Sequence, residues 1–163
     1  MKIFGKSPVN KFLFITGKTC LFICTMFFIV RLYWPESLLW KNKVNDIAAI
    51  SLFIIGGFIT LLSVINIGNA LSIGLPENNT KLVTGGLYKF SRNSMYFGLF
   101  IILLASCLHA PHFINFILAI IAISVHHKII LEEEKFLKNR FGKEWDEYVR
   151  QVNRFLSFPS PRK

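Results

Sequence analysis

Leu82-Val83-Thr84-Gly85-Gly86-Leu87-Tyr88-Lys89-Phe90-Ser91-Arg92-Asn93-Ser94-Met95-Tyr96-Phe97-Gly98 is the stretch that decides how this chain is read. Its first half is polar and carries a glycine pair; from Met95 onward it is apolar. It opens an apolar hairpin that runs out to Pro111 and returns to three consecutive acids, Glu132, Glu133 and Glu134. When both arms cross a bilayer, residues 92–96 and the acids meet at one membrane surface. An arginine, an amide, a tyrosine and paired carboxylates gathered there have the composition of a site, since ionisable groups beside a bilayer are costly unless used.

The bulk composition agrees with a membrane reading. Of the 163 residues, 53% are hydrophobic and 15% aromatic, and mean hydropathy is +0.48. That is too apolar for a soluble domain of this size. The net charge of +10 does not indicate a nucleic-acid partner, because only 17% of residues are charged and the cations flank the apolar runs. They read as topology determinants and contacts to anionic head groups. Cys20, Cys24 and Cys107 all lie inside apolar runs, without metal-ligand spacing, and read as packing residues. No metal is expected.

The expected architecture is all-α: a single domain over 1–163, with four transmembrane helices and amphipathic helices at the C-terminus. The first span covers about 13–33, with Lys18 as its one interior charge, able to snorkel to the surface. Tyr33-Trp34-Pro35 forms an interfacial belt, and the run is too long for a signal peptide. A polar loop over 34–46 precedes the second span, about 47–67, where Gly56-Gly57 signals close helix packing. Residues 68–93 form a connection longer than idle loops tend to be, so a functional or partly folded segment is expected. Within it, Pro76-Glu77-Asn78-Asn79 is a turn, and Asn78-Asn79-Thr80 is a sequon that stays inert on a cytosolic side. Spans three and four cover about 94–110 and 113–131, joined by the tight turn around Pro111.

Residues 132–152 are amphipathic: Leu137, Phe141, Trp145, Tyr148 and Val152 share one helical face, to be laid on the membrane or folded over the loop. Gly142 breaks this segment in two. The tail with Pro159 and Pro161 is expected to fray. Four spans put 16 of the 19 Lys and Arg on one side, which places both termini, the 82–98 stretch and the acids in the cytoplasm.

The stretch and the acids together resemble the isoprenylcysteine carboxyl methyltransferase and phospholipid methyltransferase superfamily. The resemblance is carried by residues 82–88, by Arg92-Asn93-Ser94-Met95-Tyr96-Phe97-Gly98, and by Glu133-Glu134-Lys135-Phe136-Leu137. Arg140-Phe141-Gly142-Lys143-Glu144-Trp145 and Tyr148 continue it. It covers roughly 68–158 with order and spacing intact. It implies an integral membrane enzyme that uses S-adenosylmethionine on the cytosolic side, with a lipophilic acceptor from the bilayer. By position, Lys81, Leu82 and Val83 would line the cofactor pocket and Tyr88 would pack beside it. Asn93, Ser94, Met95 and Tyr96 would hold the adenosine and amino-acid parts. Glu133 would accept a hydrogen bond, ahead of Glu134, with Glu132 solvated. Candidates for a catalytic role are Arg92, Tyr96 and Arg154.

Each residue also has a plainer reading. Arg92 can be a positive-inside anchor or can pair with an acid; Tyr88 and Tyr96 can be belt aromatics. Arg150 and Arg154 can be lipid-facing cations or contacts to a substrate carboxylate. His126 and His127 are neighbours on a helix, face different directions, and read as packing. Acids at the end of the fourth span are unfavourable to the helix dipole, which favours use of at least one. Asn93-Ser94 stands where the superfamily usually has His-Pro, and Leu87 replaces another frequent proline. Ile129 stands where prenylcysteine enzymes place a substrate-binding arginine. A phospholipid N-methyltransferase, differing only in its acceptor, stays open, as does a membrane reductase, because sterol reductases share part of this architecture; Ser94 and Ile129 leave open a structural protein whose pocket has decayed.

Overall fold

The computed structural model describes residues 9–34, 43–68 and 81–157. Among them all regular structure is helical: α1 (Lys11–Tyr33), α2 (Lys43–Ile67), a 3-10 turn (Gly86–Lys89), α3 (Ser94–His109), α4 (Phe113–Phe141) and α5 (Lys143–Gln151). Lys2, Lys6, Pro35, Lys41, the turn and sequon at 76–80, and Pro159 and Pro161 lie outside the described residues.

α1, α2 and α4 are long and apolar enough to cross a membrane. α3 is apolar but has 16 residues, a rise of about 24 Å against a hydrocarbon core of about 30 Å. Boundaries fall close to those expected, with two corrections. Residues 43–46, read as loop, are the first turn of α2, where Asp46 suits the positive end of the helix dipole. α4 does not stop near 131 but runs on to Phe141, so the three acids lie within a helix and not at its end. The dipole objection to them therefore falls away.

Small residues set the helix spacing. A Cβ on Gly98 would lie 2.4 Å from Thr60 Oγ1 and 2.7 Å from the Gly56 carbonyl oxygen, so the α2 and α3 backbones touch there. Gly57, by contrast, faces open space. Gly17 lets α1 close on Val125 of α4 in the same way. Between these contacts Cys20, Cys24, Leu103, Cys107, Ala119 and Ala122 form one buried layer, and the three cysteines are free. The outward faces carry exposed Phe12, Phe22, Ile54, Phe58, Ile65 and Ile120, as lipid contact requires.

Two ends of the bundle are polar. At one, Arg31 is only 3% exposed, pairs with Asp46 at 3.2 Å and donates to the His109 carbonyl. His109 Nδ1 lies 3.0 Å from the same Asp46 oxygen. Nothing in the sequence set Arg31 apart from an ordinary flanking cation. At the other end α4 terminates at Gly142, whose φ of +51° is open to glycine and strained for other residues. α5 then turns back, and Trp145, Tyr148 and Val152 bury themselves against Leu137, Phe141 and Leu82. Of the two placements open to this stripe, folding over the loop is the one adopted.

Candidate active site

Glu133 and Glu134 are consecutive on α4, so about 100° of helix separates them and they enter different surroundings. Glu134 enters a clamp. Arg154 grips it with two parallel bonds, Nε to Oε1 at 3.2 Å and Nη2 to Oε2 at 2.8 Å. Asn93 Nδ2 donates to Oε1 at 2.9 Å, and Arg92 Nη2 stands 3.5 Å from that oxygen while its guanidinium lies over the Trp145 ring. Burial alone would raise this carboxyl, but Arg154, Arg92 and Asn93 hold it below the usual carboxylate range. The clamp is completed by the main chain: Arg92 N–H donates to the Asn153 carbonyl, Asn93 N–H to that of Arg154, and Ser157 N–H to that of Phe90. The segment after α5 is thereby bound to the loop that leads into α3.

Glu133 turns instead toward Tyr96. Tyr96, buried on α3, donates its hydroxyl to Glu133 Oε1 at 3.0 Å. That is the one hydrogen bond Glu133 receives among the described residues, so most of its acceptor capacity is unspent. Burial pushes the carboxyl up to about 7, against the pull of Tyr96 and of Lys18 on α1. Tyr88, at the 3-10 turn, is buried with its hydroxyl toward Ser94 and Glu133; burial pushes it up to about 12. Ser94 begins α3, and its covered hydroxyl makes no hydrogen bond of good geometry. Asn93 occupies the N-cap position, yet its side chain goes to Glu134 and leaves the first turn of α3 without a side-chain cap.

The structure thus divides the expected set. Tyr88, Ser94, Tyr96 and Glu133 share one locus. Arg92, Asn93, Glu134 and Arg154 share another, and their partners are each other. Met95 packs with Ile129 and Ile130, and Leu82 with the α5 cluster. Lys81 is exposed and Val83 half-buried in the loop before the turn. His126 bonds the Ala122 carbonyl and packs beside Tyr96, while His127 meets Phe155. Gly86, at φ +58°, makes the turn that carries Tyr88 inward. Lys18 was legible as the lone charge of its run, but not as a neighbour of Glu133.

These elements define an α-helical membrane protein with a carboxylate-centred polar site at one end of its bundle. Residues 44–144 match the family Phospholipid methyltransferase. The match spans more than half of the chain, and the chain belongs to that family. The match leaves out α1 and the Arg154 side of the clamp. Neither the curated proteins nor the solved structures give a match.

Proposed function

We propose that this chain transfers a methyl group from S-adenosylmethionine to a lipophilic acceptor drawn from the bilayer. The observation that carries the reading is the Glu133–Tyr96 pair beside the unpartnered Ser94 hydroxyl, at the uncapped start of α3. When bound, the cofactor supplies an electrophilic methyl group on a sulfonium. The residues present suit such a ligand. Glu133 would accept from a ribose hydroxyl or the ammonium group and add favourable charge. The free N–H groups of the α3 first turn would meet its carboxylate. Tyr88 and Ser94 would close the wall. The Glu134 clamp positions these groups without touching the ligand, so rate enhancement would rest on proximity and exclusion of water.

The family and Ile129 both favour a phospholipid amine over a prenylcysteine carboxylate as acceptor. Ile129 is 1% exposed in the apolar core, so the position offers no cation. The site reading includes four spans with both termini cytoplasmic, α3 being the short one. Reporter fusions after residues 80 and 163 should then report cytoplasm, and those after 40 and 111 the opposite side. A cytoplasmic signal at 111 overturns this orientation.

Titration calorimetry tests the site. Losing a charged hydrogen-bond partner costs about 1.5–3 kcal/mol, so Glu133→Gln should weaken cofactor binding roughly ten- to hundredfold. Glu132→Gln should change little, because Glu132 is spent on exposed Lys135 at 2.6 Å. A carboxyl at about 7 is partly protonated at neutral pH, and a cationic ligand needs it ionised. Binding therefore releases a proton. Affinity should fall as pH drops below about 7, by at most about tenfold per unit, and level off above it. Glu133→Gln should flatten that profile. Wild-type protein that binds no cofactor at millimolar concentration removes the methyltransferase reading.

A further inference from the structure

Tyr96 and Glu133 belong to α3 and α4. Each of these helices has one face closed where a glycine lets a backbone in: α3 at Gly98 against Gly56 of α2, and α4 at Val125 against Gly17 of α1. Phe100 and His127 stand two positions beyond Gly98 and Val125. At about 100° per residue that is about 200° round each helix, on the faces turned away from α2 and α1. One side chain meets both of them: the Phe155 ring lies 5.8 Å from that of Phe100 and 6.3 Å from that of His127. Phe155 also packs on the cluster that holds Tyr96, Ile129 and Ile130. Its neighbour Arg154 is bound at Asn93 and Glu134. Phe100 and His127 are each seven residues from those partners, about 10 Å further along either helix toward the bilayer. The chain thus turns inward directly after the clamp, and Leu156, exposed and apolar, suits a segment lying at a membrane. This segment carries no helix, and the Glu134 clamp and a few main-chain bonds tie it to the bundle.

We propose that Phe155 is a door on the bilayer side of the site, displaced when the apolar chain of the acceptor enters between α3 and α4, with the Arg154–Glu134 pair as its latch. The glycine contacts can part only if whole helices move, whereas a ring turns aside on side-chain torsions. The proposal rests on the methyltransferase reading, which supplies the lipophilic acceptor; the motion of the door can be read without it. A phenylalanine that merely fills space would move for no ligand.

The test uses the full chain in a neutral detergent, with Phe100→Cys and Phe155→Cys joined by a flexible bis-methanethiosulfonate. The native cysteines are buried, and wild type treated alike is the control. Methyl transfer from radiolabelled S-adenosylmethionine into a total lipid extract should fall about tenfold or more on linking and return on reduction, as for a gate held shut. Cofactor affinity by calorimetry should hold throughout. Transfer that persists in the linked protein overturns the proposal, and so does a loss of cofactor affinity equal to the loss of transfer. His127→Cys with Phe155→Cys serves if the first pair fails to fold. A second readout needs no cofactor: bimane on Phe155→Cys, beside His127→Trp, should be quenched at rest and released by N-oleoylethanolamine but not by S-adenosylmethionine. Quenching that N-oleoylethanolamine leaves unchanged overturns the door. Wild type that binds no cofactor would instead sink the methyltransferase reading, and the bimane signal would still decide whether Phe155 moves.

Discussion

Glu134→Ala is expected to destabilise the protein by about 3 kcal/mol and to free the segment that follows α5. Breaking a buried ion pair from one side costs roughly 3–5 kcal/mol, because the partner charge is left without compensation. Here the acid is 13% exposed and Arg154 35%, so the lower end of that range applies. Arg92, 8% exposed, is the second cation stranded. Hydrogen exchange at residues 152–157 should accelerate along with the fall in melting temperature, since the main-chain bonds from Arg92, Asn93 and Ser157 depend on the same alignment. The pH dependence has a definite sign. The folded-state carboxyl lies below its ordinary value, so its stabilisation is fully present above that value and is lost as pH falls through the folded one. Wild type and variant should therefore converge in acid and differ most at neutral pH. Glu133→Gln, one residue away, should instead affect cofactor binding and leave melting near wild type. A Glu134→Ala protein that melts with wild type would show that the clamp holds nothing.

The contrast between these neighbours marks the limit of what the sequence makes legible. The apolar runs can be read because lipid requires long helices with every backbone group satisfied internally. The stripe through Trp145 can be read because 3.6-residue periodicity survives a glycine break. The pairing of residues 92–96 with the acids can be read because a hairpin returns its arms to one surface. Which acid faces which partner cannot, since it depends on the rotation of α4 about its axis, and that is set by Gly17 against Val125 and by the α5 cap. Asn93 shows the same limit from the other side. Local preference makes it a helix cap, but a carboxylate 41 positions away takes its amide. Lys18 and Arg31 both look like ordinary flanking cations along the chain. Their different fates, one at the lipid face and one buried, follow from what α4, α3 and α2 place beside α1.

Arg31 carries the other large expected effect. It sits about 30 Å along α1 from Lys11, at the end of the bundle away from the candidate site. There its guanidinium joins three helices: it is in α1, its counter-ion Asp46 is in α2, and the carbonyl it donates to is that of His109 in α3. Asp46→Leu removes a carboxylate that pairs with a guanidinium 97% covered, and leaves its contact with the His109 carbonyl in place. The cost should be about 3 kcal/mol, the lower end for one-sided removal from a buried pair. In a chain of this size that lowers the melting temperature in detergent by roughly 10 °C. Arg31→Met leaves a less buried charge, because Asp46 is 33% exposed and can be hydrated, so it should cost less than Asp46→Leu. The double variant removes both charges and should be more stable than Asp46→Leu alone. The double-mutant cycle should then give a coupling above about 1 kcal/mol, as expected of contacting charges. Cofactor affinity should stay at the wild-type value in all three proteins, since no residue of this cluster reaches Glu133. Strictly additive single effects would mean that the pair contributes nothing beyond its separate side chains, and that α1 is held in register by apolar contacts such as Gly17 on Val125, the cysteine layer and Phe28 on Phe53.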